Sequence, residues 1–461
     1  SARRVRTKSP HEDDEHEETQ MAAPDPYLSG HGDDRYRVRH YDLRLDYKVT
    51  TNRLDEVAVL DVEMVADAKQ LELDLSGLQV SKVLVDGTKA RYRTRNRKLL
   101  VELGAAEAGD RFRVTVNCAG KPRPVPGVHG AAGWEELTDG VLVGSQPQGA
   151  PGWFPCNDDA ADKATYRIQL DVAQSYHVVA NGTLVDQQNR GGSTRWVYEM
   201  DAPMAPYLAT VQIGHYVTTD LSGAPVPVQI VHPSHVAVGA DTAFEHQAEM
   251  VRHFVDLFGP YPFRQYRAVV ANDVLEIPLE AQGLSSFGRN FAQPTWENER
   301  LVAHELSHQW FGNSVTASQL ADIWLHEGFA CYSEWLWADH RAATDPRVLD
   351  VQAQAERHHR DLAQEKQGLV LTEPGMPNMF DDWVYKRGAL TLHAVRACLG
   401  DDAFFRMLQS WTATHAGGIV TTKMFVDHCI EFASDDGFEL AATLDAWLNQ
   451  PRLPGLPVLR R

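Results

Sequence analysis

The sequence predicts an α+β chain of more than one domain, with an antiparallel β-rich front over residues 36–225 and a mainly helical back over 226–461. Three observations carry that prediction. From about residue 36 apolar side chains recur with period two, the signature of half-buried strands. Beyond Pro225-Val226-Pro227 the period lengthens to that of amphipathic helices. Finally, 461 residues with 43% hydrophobic content exceed one ordinary domain and supply enough apolar side chains for sizeable cores.

In the front, Leu43, Leu45, Tyr47 and Val49 alternate with polar neighbours, and so do Leu71, Leu73 and Leu75. The same alternation holds for Phe112, Val114, Val116 and Cys118, and for Tyr166, Ile168, Leu170 and Val172. Asp86-Gly87, Asn181-Gly182 and Gly191-Gly192 punctuate these runs as turns. In the back, a helix is expected over Phe244 to Phe258, and later ones across 349–366, 385–399, 402–415, 422–434 and 438–449. Ahead of both domains, residues 1–35 read as a disordered charged tail because of the run from His11 to Glu18.

Between the early and late helices of the back lies His304-Glu305-Leu306-Ser307-His308. On a helix, positions i and i+4 share a face, so His304 and His308 can turn a ring nitrogen to one ion. Glu305 sits beside them, placed to take a proton from a metal-bound water. The bland alternative is a helix carrying two structural histidines. Thr295 as a cap, Glu297 and Glu299 in the first turn, and Gly312-Asn313 as a stop argue for a well-formed helix. After eighteen intervening residues comes Glu327, set among Ile323, Trp324, Leu325, Phe329, Tyr332 and Trp335. A carboxylate in such apolar company is costly unless it is paired or binds metal. His304, His308 and Glu327 make three protein ligands with a fourth position open, the arrangement of a catalytic zinc site holding one Zn2+ per chain.

Composition narrows the class further. A formal net charge of −19 leaves no basic stripe for nucleic acid. No run of eighteen apolar residues exists, so no membrane-spanning helix is expected. Arg3-Arg4 is followed by no apolar stretch that would make an export signal. The five cysteines Cys118, Cys156, Cys331, Cys398 and Cys429 are odd in number and widely spaced, which points to a reducing compartment and a cytoplasmic location. Each is read as a small buried apolar residue. His340, His358 and His359 are read as surface histidines.

The segment Leu301 to Asn313, with Glu327 in Trp324-Leu325-His326-Glu327-Gly328-Phe329-Ala330, resembles the zinc region of the aminopeptidase N family of gluzincin metallopeptidases. The resemblance extends over most of residues 36–458. It includes Trp153-Phe154-Pro155-Cys156-Asn157-Asp158, Pro203 to Leu208 and Gly259-Pro260-Tyr261-Pro262-Phe263. It implies a thermolysin-like catalytic domain behind the β domain, and peptides with a free N-terminal amine as substrates. It implies that Tyr385, in Val384-Tyr385-Lys386-Arg387-Gly388-Ala389, hydrogen-bonds the oxyanion of the tetrahedral intermediate. It also implies that Glu280 binds the substrate's α-amino group, and that Gln146 and Gln148 face the first substrate residue. Around Glu280 the chain departs from the family's Gly-x-Met-Glu-Asn, with Ile277, Leu279 and Ala281 at the three altered positions. His326 stands where asparagine is common; on a helix it points about 100° away from Glu327, so a structural role is expected. The segment from Leu444 to Val458 is similar to the close of the family's catalytic domain, and the β-sandwich and helical roof of larger members are not in the sequence. A more open site is the expectation. Rival readings are a zinc endopeptidase, an epoxide hydrolase of the leukotriene-hydrolase type, and a non-catalytic scaffold. The first differs only at the amine anchor, nothing points to the lipid tunnel of the second, and the third would have lost ligands that are present here.

Overall fold

The structure, a computed structural model, describes residues 25–434 and 437–459. The charge run His11 to Glu18 lies outside the described residues. The front is β throughout. Strand Tyr36–Lys48 pairs antiparallel with Arg53–Met64, with Tyr41 opposite Leu60 and Leu43 opposite Ala58. The alternation does what period two requires: Leu43, Leu45 and Tyr47 are buried while Arg44, Asp46 and Lys48 face solvent. Not every pair is antiparallel. Tyr36–Lys48 lies parallel to Ala164–Ala173, with Leu43 beside Ile168, inside an eight-stranded sheet. Asp86 and Gly87 both take positive φ (49° and 78°), the geometry of a two-residue hairpin turn. A five-stranded sheet, built from Val125–Gly127, Gly130–Leu137, Gly140–Gly144, His177–Ala180 and Val211–Gly214, shares the core with it.

The back contains helices α1 (Gln247–Phe258), α2 (Trp296–Ser307), α3 (Trp324–Ala342), α4 (Val351–Gln364), α5 (Asp382–Leu399), α6 (Asp401–Thr414), α7 (Thr422–Glu431) and α8 (Phe438–Asn449). They pack around one aromatic-rich core that includes Trp310, Trp324, Trp335, Trp337, Trp411 and Trp447. A second five-stranded sheet accompanies them, in the order Val217–Leu221, Val228–His232, Tyr266–Ala271, Leu284–Gly288, Leu279–Ala281. Two expectations are corrected by these pairings. Val217–Leu221 pairs along its length with Val228–His232, so the structural boundary falls before residue 217 and not at 225. Residues 25–35 are not tail. Leu28 is buried in the helical core, Asp25 accepts from the Leu320 N–H, and the Tyr27 hydroxyl accepts from Gly375 N–H at 2.9 Å. On its other side, Asp33 N–H donates to Asn157 at 2.8 Å, so this stretch ties the two domains together.

A further tie is Lys163, whose ammonium is buried against three carbonyls of the back, Asn313 (3.0 Å), Ser314 (2.8 Å) and Gly418 (3.1 Å). All five cysteines are free, and four of them are buried; Cys398 is exposed, contrary to its expected burial. Among the described residues no helix is long and apolar enough to cross a membrane.

Candidate active site

Helix α2 is capped by Thr295, whose hydroxyl accepts from Asn298 N–H at 3.3 Å, and it ends at Ser307 with His308 in the capping position. The i, i+4 spacing brings the His304 and His308 rings to 4.8 Å between centroids. The chain then reverses through Gly312, at φ +118°, and re-enters helix at Trp324, so Glu327 sits in the first turn of α3. A third helix closes the site because α3 and α5 cross at two glycines. A Cβ added to Gly328 would stand 2.7 Å from the Gly388 Cα. That contact sets Tyr385, one turn before Gly388, beside Glu327, the neighbour of Gly328. The Tyr385 ring lies nearly parallel to His304, 6.0 Å away at 14°.

Glu327 Oε2 is 3.4 Å from His304 Nε2 and 3.5 Å from His308 Nε2. Bonds of about 2.0–2.1 Å at tetrahedral angles require donor separations of about 3.3–3.4 Å; both distances to Glu327 match that spacing, and the donor atoms of all three residues lie within 4.8 Å of one another. The remaining ring nitrogens are engaged from behind. His308 Nδ1 lies 3.1 Å from the Phe311 carbonyl, which can only accept, and this turns Nε2 with its lone pair toward the shared point. His304 Nδ1 lies 2.7 Å from Glu334 Oε1, while Glu334 Oε2 accepts from Arg300 Nη1 at 3.0 Å. Glu334 was not singled out in the sequence, although its position two helical turns after Glu327 places both on one face of α3. Such partners fix the tautomer and basicity of a ligand. Glu334→Ala is expected to weaken zinc affinity about 10- to 100-fold, read by competition with a chelator of known affinity; unchanged affinity would make Glu334 a packing residue only.

Around these donors stand two more carboxylates. Glu280, Glu305 and His308 present donor atoms within 4.8 Å of one another. Glu280 is carried by the edge strand Leu279–Ala281, which is gripped by the segment after α2. Gln309 accepts from Gly283 N–H (2.8 Å) and donates to the Ala281 carbonyl (3.1 Å), and Asn313 donates to the same carbonyl (3.1 Å). Glu305 is buried, and its Oε2 has no hydrogen-bond partner. Burial pushes its carboxyl up to about 8, against the pull of the His304 charge. Burial also raises Glu280, with the His308 charge opposing and the Glu327 charge adding to the rise. Burial would raise Glu327 too, but the His308 charge and hydrogen bonds from both histidines outweigh it and hold the carboxyl well below its usual range. Three acids converging on two imidazoles is an electrostatic setting that favours a cation, and a divalent ion among them opposes the rise at Glu305. Burial, reinforced by the Glu327 charge, lifts the Tyr385 phenol well above its ordinary value, so it remains a hydrogen-bond donor.

The remaining expectations divide. Gln148 is a correction: it is buried, and its amide nitrogen donates to the Val125 (3.0 Å) and Gly130 (3.2 Å) carbonyls. It staples the Val125–Gly127 hairpin, where Gly127 has no Cβ to obstruct the amide, and that nitrogen is not available to a substrate. Gln146 lines a small cavity with Asp25, Leu28 and Tyr207, its amide nitrogen buried and without a partner. His326 Nε2 accepts from Ala317 N–H at 2.8 Å, a structural bond as expected. His340 is exposed, but His358 is half-buried and stacked on Trp335 at 5.2 Å and 4°.

Comparison with known proteins agrees with this architecture. Residues 38–208 match the Peptidase M1 N-terminal domain and residues 242–447 the Peptidase family M1 domain. A crystal structure of an M1 zinc metallopeptidase from Deinococcus radiodurans superposes with TM-score 0.85 and 29% identity, covering 95% of this chain and 99% of that one. The chain belongs to peptidase family M1. Another structure of the Deinococcus M1 enzyme, a mutant bound to a Tyr-Ser-Ala substrate, is 30% identical with TM-score 0.83, covering 93% of this chain and 97% of that one. Probable aminopeptidase 1 of Sulfurisphaera tokodaii is 22% identical over 462 residues, 91% of this M1 chain and 54% of its own length. The chain thus spans about half the length of the curated relatives it matches first.

Proposed function

We propose that this M1 chain is a zinc-dependent aminopeptidase that hydrolyses the first peptide bond of peptides with a free N-terminal amine. The observation that carries this reading is the Glu280 carboxylate standing beside Glu305 and His308, within 4.8 Å. An acid fixed at that distance from the metal donors suits a substrate ammonium and limits the cut to the bond next to it. The similar Deinococcus enzyme, with its bound Tyr-Ser-Ala substrate, supports a peptide as the ligand.

In this reading His304, His308 and Glu327 hold one zinc ion, which when bound supplies Lewis acidity and a water acidic enough to lose its proton near neutral pH. Glu280 anchors the ammonium and so sets the register of the chain. Glu305 accepts the water's proton on its free oxygen and returns it to the leaving amine, a base turned acid. Tyr385 donates its hydroxyl hydrogen to the carbonyl oxygen as negative charge develops there.

The test is a panel of aminoacyl arylamides assayed beside their N-acetylated forms. The free-amine substrates are expected to be cleaved at least about 100-fold faster in kcat/KM, as a half-buried carboxylate left without its charged partner implies. Equal cleavage of both series would favour an endopeptidase.

A further inference from the structure

The far end of α3 meets a second gathering of imidazoles. His246, in the capping position of α1, Glu249 and His253 are spaced i, i+3 and i+7, so all three project from one face of that helix. His340, in the last turn of α3, reaches them from the facing helix. Glu249 spans two of the rings, with Oε1 2.9 Å from His340 Nε2 and Oε2 3.2 Å from His246 Nδ1. The His340 ring lies 4.5 Å from that of His253. All three imidazoles border one indole, that of Trp337, at 5.1 Å for His340, 5.9 Å for His253 and 6.2 Å for His246. This indole is fully buried and donates to Glu299 at 3.0 Å, which gives the cluster a fixed wall.

Ion pairing with Glu249 accounts for His246 and His340. It does not account for His253. The Leu336 backbone engages that ring through its other nitrogen, while Nε2 is buried and has no hydrogen-bond partner. A protein presents an imidazole to a metal in this way, one nitrogen held by the backbone and the other left with its lone pair. Burial, with the His340 charge adding to it, pulls His253 down to about 4, so the ring is neutral at neutral pH. The hydrogen bond from His340 holds Glu249 below its usual value, as a carboxylate. Three imidazoles and one carboxylate suit zinc, nickel or copper and not magnesium or calcium, which take oxygen donors. The two separations to Glu249 also fall within the about 2.8–3.6 Å that adjacent donors show on one such ion. Among the described residues, three such donors already converge within 4.8 Å only at the active site. Here Glu249 meets the rings one oxygen at a time, and its side chain and that of His340, 40% and 38% exposed, are free to close on an ion. Such a site binds more weakly than the catalytic one and fills after it.

We propose that His246, Glu249, His253 and His340 form a second, exchangeable site for a divalent transition-metal ion, with zinc as the probe, and that the ion clips α1 to the end of α3. The proposal is independent of the aminopeptidase reading. To test it, the full chain is brought to one zinc per chain and then titrated with zinc, with bound metal measured by equilibrium dialysis and the melting midpoint followed on the same samples. The wild type is expected to take up a second equivalent, to melt higher as it does so, and to keep its turnover. Losing a group that only orients a metal ligand costs about 10- to 100-fold in affinity. His340→Gln and Glu249→Gln, both at exposed positions, should therefore each weaken the second equivalent at least about tenfold and remove the melting shift, with the first zinc retained. Magnesium at the same concentration should produce neither effect. Uptake that stops at one equivalent overturns the proposal, and so does a second equivalent that survives both substitutions. In the latter case its true seat is read directly: loss on replacing His11 and His16 assigns it to the acidic run His11 to Glu18, and loss of turnover as it binds assigns it to Glu280, Glu305 and His308.

Discussion

Glu305→Gln keeps zinc at the wild-type content and loses about 10³- to 10⁴-fold in kcat, the upper part of the range for a positioned general base. The substitution is nearly isosteric and touches none of the three donor atoms, whose mutual spacing comes from His304, His308 and Glu327. It is also an unusually clean test of chemistry against folding. Glu305 Oε2 is buried and makes no hydrogen bond, and burial lifts its carboxyl to about 8. Replacing that group with a neutral amide removes the cost of a buried charge, so the thermal midpoint should be equal to or above that of the wild type. Metal analysis, a melting curve and steady-state kinetics on one preparation decide it. Turnover within tenfold of wild type, with zinc retained, would remove Glu305 from the role of base.

The convergence of His304, His308 and Glu327 was legible in the sequence because each rests on local geometry. Two histidines four apart need only a helix, and a glutamate in an apolar run announces that something compensates its charge. Glu334 carried the same kind of signal, a heptad after Glu327, but its significance lies in a contact between helices that no spacing reveals. The glycines Gly328 and Gly388 bring α3 against α5, yet nothing in either segment names the other as its partner. Gln148 failed for a related reason. A loop glutamine matching a family position was assigned to the substrate, while its amide is held by carbonyls more than fifteen residues away, at Val125 and Gly130. The domain boundary shifted because the proline pair marks a turn within a sheet, and sheet membership is decided by pairing, not by local composition. Likewise Asp25 and Tyr27 look like tail until Leu320 and Gly375 supply their partners.

Tyr385→Phe is expected to lower kcat about 10²- to 10³-fold, the usual cost of losing one oxyanion donor, and to leave KM and zinc content close to wild type. The phenyl ring preserves the near-parallel packing on His304. The Gly328–Gly388 crossing that holds α5 in place is untouched, so the change isolates a single hydroxyl. That hydroxyl matters only as charge grows on the scissile oxygen, which is why the loss should fall on kcat and leave ground-state binding nearly intact. The same logic predicts that a transition-state analogue with a tetrahedral oxyanion weakens in proportion to kcat, whereas a simple product amino acid binds as before. Because burial and the Glu327 charge keep the phenol protonated well past neutrality, the wild-type profile should show no loss of activity from Tyr385 ionisation across the working range. A variant with kcat within threefold of wild type would assign the oxyanion to the metal alone. One that loses zinc would instead make Tyr385 a structural brace for Glu327. The two outcomes are separated by measuring metal content before kinetics.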